Sequence, residues 1–153
     1  MTVKRTPEAR FDRLENWPYG PQYLTDLNAA NGIRVHYVDV GKVQSDRVFL
    51  CLHGQPTWAY LYRKMIPVFA ASGARVVAPD LPGFGRSDKP VAETIYGFCF
   101  YRQILLEIID RLNLYNITLV VQDWGGPIGS SLAMRNPDLI KCICYCNGNV
   151  PWA

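Results

Sequence analysis

Apolar and polar positions follow two rhythms along this chain. Ile33-Arg34-Val35-His36-Tyr37-Val38-Asp39-Val40 alternates, as a half-buried strand should. Val48-Phe49-Leu50-Cys51-Leu52 is continuously apolar and stops at His53-Gly54, which predicts a strand buried on both faces of a parallel sheet. Ala74 to Ala78, Ile117 to Val121 and Leu139 to Cys146 read as three further strands. Helical spacing takes over between them. Leu61, Met65, Ile66 and Phe69 predict a helix from Trp58 to Ala71, capped at Gly73, with Pro67 expected to kink it or end it early. Tyr101, Ile104, Leu105, Ile108, Ile109 and Leu112 form one stripe of a helix from Phe100 to Leu112. On its outer surface Glu107 and Arg111 stand at a pairing distance of one turn. A third helix runs from Pro127, tolerated in a first turn, to Arg135, and Asn136-Pro137 ends it. Asp80 to Asp88 is a turn-rich loop, and Pro7 to Asn31 reads as an irregular arm. The expected division is an arm over residues 1–31, packed on a core domain over 32–153.

Strand, strand, helix, strand, helix, strand, helix, strand is an α/β order, and it implies a mostly parallel sheet with helices on both faces. Ligands of such sheets bind at the carboxyl ends of the strands. His53-Gly54, Asp80 and Asp123 all fall at such ends, so three motifs converge on one rim.

Composition narrows the setting. With 153 residues, 49% hydrophobic and 19% charged, the chain is globular and sized for one domain. A net charge of +3 is too small and scattered to suggest nucleic acid, and Lys4, Arg5 and Arg10 read as a solvated, mobile terminus. No apolar run is long enough to span a bilayer, and the first twenty residues hold no signal-peptide core, so the expectation is a cytoplasmic protein without a membrane partner. The five cysteines, Cys51, Cys99, Cys142, Cys144 and Cys146, lack the spacing and the nearby histidine of a tetrahedral metal set. They read as buried free thiols in a reducing compartment, with Cys142, Cys144 and Cys146 sharing one face of their strand. No cofactor or metal is implied.

The chemistry centres on Leu119-Val120-Val121-Gln122-Asp123-Trp124-Gly125-Gly126. A carboxylate stands at the tip of a buried strand, directly before two glycines and a helix. Asp is a common N-cap at such a point. The alternative is the nucleophile elbow of α/β-hydrolases, whose sharp strand-to-helix turn lifts the attacking group above the sheet. The paired glycines favour the elbow, because they allow a tight turn and close helix–strand contact. A carboxylate is already ionised at neutral pH, needs no base to attack, and forms a covalent ester. His53-Gly54-Gln55-Pro56 sits where hydrolases of this fold build an oxyanion hole, so the backbone N–H groups of Gln55 and Trp124 are the candidate donors. His53 itself is expected to hold the loop. The Trp124 indole, a donor with an apolar body, suits packing or a weakly hydrated halide.

Three blocks carry a resemblance: Leu52-His53-Gly54-Gln55-Pro56-Thr57-Trp58 with its continuation to Pro67, Asp80-Leu81-Pro82-Gly83-Phe84-Gly85-Arg86-Ser87-Asp88-Lys89-Pro90, and Val121-Gln122-Asp123-Trp124-Gly125-Gly126. Together they resemble the haloalkane dehalogenases, and Arg5-Thr6-Pro7 with Arg10-Phe11 resembles the N-terminal arm of one subfamily. The resemblance implies Asp123 as nucleophile, Gln55 and Trp124 as backbone oxyanion donors, and Trp124 as halide ligand. The family has Glu or Asn where Gln55 stands; an Asn there binds halide, and the longer Gln55 amide could donate similarly. Some subfamilies place an acid after the last strand, where this chain has Asn147-Gly148-Asn149.

The similarity covers only the first half of the family's fold. The cap, the later strands and the late His that activates water are not among these residues, whose only histidines are His36 and His53. His36, in mid-strand, is expected to be a surface or packing residue. The expectation is therefore an α/β-hydrolase sheet truncated before the cap and C-terminal strands: a parent enzyme that hydrolyses haloalkanes with water and releases halide, and a chain that is alkylated once without turnover. An epoxide hydrolase is the alternative, though that family carries His where Gln122 stands. A non-enzymatic remnant is the other, self-associating through the exposed edge of Leu139 to Cys146.

Overall fold

The computed structural model describes residues 2–148. Asn149, and the end of the proposed core domain, lie outside the described residues.

Strand β1 (Val3–Lys4) opens the chain, followed by a short 3-10 turn over Glu8–Phe11. Strands β2 (Gln22–Leu24), β3 (Val35–Gly41) and β4 (Val48–Leu52) follow. Helix α1 (Ile66–Ala71) leads to β5 (Arg75–Pro79) and the two-residue strand β6 (Lys89–Pro90). Then come helix α2 (Phe98–Arg111), β7 (Ile117–Gln122), α3 (Gly125–Arg135) and β8 (Ile140–Cys146). The main sheet has the order β2-β3-β5-β4-β7-β8. It is antiparallel from β2 to β5 and parallel from β5 to β8.

Alternation along the strands feeds two cores. Leu50, Leu52, Val77, Leu119 and Val121 meet Ile104, Leu105 and Ile108 of α2 and Ile128 and Leu132 of α3. Their neighbours Cys51, Val76, Ala78 and Val120 face the other way, onto Ala59, Tyr62 and Ile66. Helices thus cover both faces, as an α/β order requires. Truncating any one of these fully buried Leu or Ile side chains to Ala costs about 2–5 kcal/mol.

Four expectations change. The segment read as an irregular arm carries β2, which pairs with β3 at the sheet edge. The terminus around Lys4 and Arg5 is fixed, because β1 pairs antiparallel with β6 and Arg5 binds Asp88. The single helix expected from Trp58 to Ala71 is two pieces, a 3-10 turn over Ala59–Tyr62 and then α1. Pro67 cannot donate to a preceding turn, so it starts a helix here and does not kink one. Glu107 and Arg111 do not pair with each other: Glu107 accepts the Ala29 N–H (2.9 Å), and Arg111 binds Asp26.

The thiols differ too. Cys51 is buried, but Cys99, Cys142 and Cys144 are exposed. Cys142, Cys144 and Cys146 do share a face, opposite Thr118, Val120 and Gln122. β8 is the last strand of the sheet, and α3 meets its other face, where Ser130 bonds Tyr145. Among the described residues no helix is long and apolar enough to cross a membrane, and no cluster of His, Cys, Asp and Glu could hold a metal.

Candidate active site

The site is built at the junction of β7 and α3. Asp123 has φ +51°, a left-handed backbone that non-glycine residues seldom adopt. That conformation turns the chain sharply off the strand. Its N–H donates to the Asn147 carbonyl (3.2 Å), and its C=O accepts from the Gly126 N–H (2.9 Å), so the turn is pinned from both sides. Gly125 lets α3 approach the sheet: a methyl there would lie 2.7 Å from the carbonyl carbon of Leu52. The residue preceding α3 is Trp124, and no side chain caps the helix, so Asp123 is not used as an N-cap.

The carboxylate points across the rim. Its Oδ1 accepts the Gln55 backbone N–H at 2.8 Å, a contact between residues 68 apart in sequence. Gly54 makes the approach feasible, since a methyl at that position would stand 2.7 Å from Asp123 Cγ. Among the described residues Oδ2 has no hydrogen-bond partner, and the Trp124 N–H, the second candidate donor, makes no bond to Asp123. The half-exposed Trp124 ring leans on Phe98, with centroids 5.6 Å apart.

Two cavities flank Trp124. The larger, about 450 Å³, is apolar, with Leu81, Phe84, Tyr96, Phe98, Tyr101 and Ile128 among its walls. Its two phenol hydroxyls are both engaged, Tyr96 donating to the Pro90 carbonyl (2.7 Å) and Tyr101 to that of Pro82 (3.2 Å). Burial pushes the Tyr101 phenol up to about 12, so it remains a neutral donor. The smaller cavity, about 280 Å³, is lined by Asp123, Trp124, Pro127, Asn147 and Gly148. Asp123 lines the smaller space and not the larger one.

The rim separates its three motifs by role. His53 is fully buried; its Nδ1–H donates to its neighbour's carbonyl (Gly54, 2.9 Å) and its Nε2 accepts the Leu81 N–H (2.9 Å). Burial holds its pKa below the usual imidazole range, outweighing the pull of Asp80 and of the Gly54 carbonyl. It holds the loop, with both ring nitrogens occupied. Asp80 is fully buried and holds three donors: Ala59 N–H, Arg86 N–H and His36 Nδ1–H each reach it at 2.8 Å. His36 is therefore neither a surface residue nor mere packing, for the antiparallel pairing of β3 with β5 sets it beside Asp80.

Sequence reasoning missed the carbonyl of Asn147, the steric role of Gly54 and the aromatic wall formed by Tyr96 and Phe98. The run of aromatic residues from Tyr96 to Tyr101 was the available signal for that wall.

A family model for the alpha/beta hydrolase fold matches residues 47–153. A haloalkane dehalogenase of Psychrobacter cryohalolentis is 47% identical over 152 residues, covering 99% of this chain and 50% of that protein. The solved tetrameric haloalkane dehalogenase of Paraglaciecola agarilytica is 50% identical with a TM-score of 0.94, covering 99% of this chain and 50% of that one. An epoxide hydrolase mutant of Vigna radiata is 32% identical with a TM-score of 0.74, covering 84% of this chain and 38% of its own. The chain spans about half the length of the curated relatives it matches.

Proposed function

The chain belongs to the α/β-hydrolase fold family, and from that premise we propose that it carries the alkylation step of a haloalkane dehalogenase. The observation that carries this reading is the division of labour at one carboxylate. Gln55 N–H holds Oδ1 at 2.8 Å, while Oδ2 has no hydrogen-bond partner among the described residues, and Asp123 lines a cavity. Oδ2 attacks the halogen-bearing carbon from the side opposite the halogen. The new O–C bond forms as the carbon–halogen bond breaks, and the halide leaves with the electron pair. The Trp124 indole N–H is the donor that receives it, and the Gln55 amide, exposed at the same rim, is a second. Oδ1 becomes the ester carbonyl oxygen, and the Gln55 and Trp124 N–H groups stabilise the charge it gains when water attacks. Removing one such donor typically costs 10²–10³ in rate.

Water must be activated by a base: His53 has both ring nitrogens bonded, by Gly54 and Leu81, and His36 is fully buried on β3, with β5 and β4 between it and β7. The 153-residue chain alone therefore stops at the ester. Incubation with 1,2-dibromoethane should release one bromide per chain more than Asp123→Asn does, the variant accounting for thiol alkylation. Continued bromide release by the pure chain would contradict this.

An epoxide hydrolase is the second reading, supported by solved neighbours of that name. It is the weaker one. The two phenols that line the larger cavity are both engaged with backbone carbonyls, and the dehalogenase relatives stand at higher identity. The reading also includes self-association. β8 ends the sheet with a free edge among the described residues, and the Paraglaciecola relative is a tetramer.

A further inference from the structure

The N-terminal residues lie across two loops, one meeting Asp123 and the other walling the cavity beside Trp124. One, residues 53–60, brings the Gln55 N–H to the carboxylate. The other, residues 80–97, walls the larger cavity with Leu81, Phe84 and Tyr96. β1 pairs with β6 inside the second loop, and Val91 N–H donates to the Thr2 carbonyl at 3.1 Å. The fork of Arg5 grips both oxygens of the fully buried Asp88, at 2.6 and 2.9 Å. Pro90, paired with Val3, is also the acceptor for the Tyr96 phenol, so the pairing reaches the cavity wall directly. Glu8 binds Arg86, whose guanidinium lies 4.2 Å over the Phe11 ring.

The same segment packs on the first loop. Phe11 and Trp17 each stand edge-on to Trp58 with centroids 5.3 Å apart, and the Tyr60 phenol donates to the Glu15 carbonyl at 2.9 Å. The two loops are themselves joined through Asp80, which accepts from Ala59 of one and Arg86 of the other. Among the described residues this assembly meets Asp123 at the end of the first loop, where Gly54 lies against the carboxylate and the Gln55 N–H donates to it.

We propose that the N-terminal segment is a strap that fixes where the Gln55 N–H meets Asp123, and that Arg5, through Asp88, is a positioning residue for the alkylation step. The rate prediction rests on Asp123 being the nucleophile; the placement of the loops does not. Arg5 suits the task because a planar guanidinium binds a carboxylate through two parallel bonds, which fixes direction as well as distance. Asp88 keeps its bond from the Arg34 N–H (3.1 Å) when Arg5 is removed, so the fold should survive while the clamp is lost.

The test uses the whole 153-residue chain with Arg5→Ala and Arg5→Lys. In Arg5→Ala the amides of 55–60 and 81–97 should exchange hydrogen faster while those of β7 do not, and ester formation at Asp123 should slow about tenfold. Arg5→Lys keeps the charge without the fork and should recover part of both losses. Unchanged exchange in the two loops overturns the strap. Faster exchange with an unchanged rate overturns the positioning role, and exchange faster throughout the sheet reduces Arg5 to general stability. If the unaltered chain forms no ester, the reading of Asp123 fails and the exchange data alone decide the strap.

Discussion

Two aspartates stand at the carboxyl ends of parallel strands in this sheet, and they have opposite fates. Asp80, after β5, is fully buried and receives three N–H donors at 2.8 Å. Asp123, after β7, is partly exposed and receives one. The same functional group at equivalent positions becomes a fastening in one case and a candidate nucleophile in the other. What separates them is how many lone pairs the surroundings occupy. A fully buried carboxylate holding three donors is shut off from an incoming carbon, whereas one held by a single donor and partly exposed is oriented and still available.

Filling the space at Gly54 should break the comparison most sharply. Gly54→Ala puts a methyl where the Asp123 carboxylate lies, so ester formation should fall at least about a hundredfold, read as adduct per chain by mass spectrometry. A rate close to that of the unaltered chain would mean the carboxylate is not held as described.

The two aspartates should also differ in what their removal does to the fold. Asp80→Ala leaves His36 and two buried N–H groups without their acceptor and should cost about 3–5 kcal/mol, seen as a lower urea midpoint. Asp123→Ala should stay within about 1 kcal/mol of the unaltered chain, because its turn is held by backbone bonds. Equal losses would erase the distinction.

A smaller effect comes from pH. His53 is held neutral by burial, so the unfolded chain takes up a proton near the ordinary 6.5 while the folded chain resists until lower pH. Stability from neutral His53 is complete above 6.5 and lost as pH falls through the folded value. Asp88 acts in the same direction at lower pH: burial raises its pKa, but the bonds from Arg5 and Arg34 more than reverse this and hold it below 3.8. The imidazole resonance of His53, followed by NMR, should stay neutral at pH 6.5; half-titration at or above that pH would contradict the buried placement.

Much of this was legible in the sequence. Val48–Leu52 matches its strand residue for residue, because a doubly buried strand is an unbroken apolar run. The Asp123 elbow was legible because Gly125 and Gly126 have few other uses directly after a strand. The breaks came where distant residues decide. β2 is three residues long, with no period to detect, and exists only because β3 offers an edge. Arg5 and Asp88, 83 residues apart, carry no mutual signal, so Arg5 looked like a loose basic terminus. Cys142 and Cys144 are exposed because β8 ends the sheet, and a strand pattern cannot tell which strand does so.

The most direct test is where the alkyl group lands. After incubation with 1,2-dibromoethane, peptide mapping should find an ester on Asp123 that hydroxylamine removes and that Asp123→Asn lacks, whereas adducts on Cys142 or Cys144 would be stable thioethers. Adducts confined to the cysteines, identical in the unaltered chain and in Asp123→Asn, would contradict the assignment of Asp123 as nucleophile.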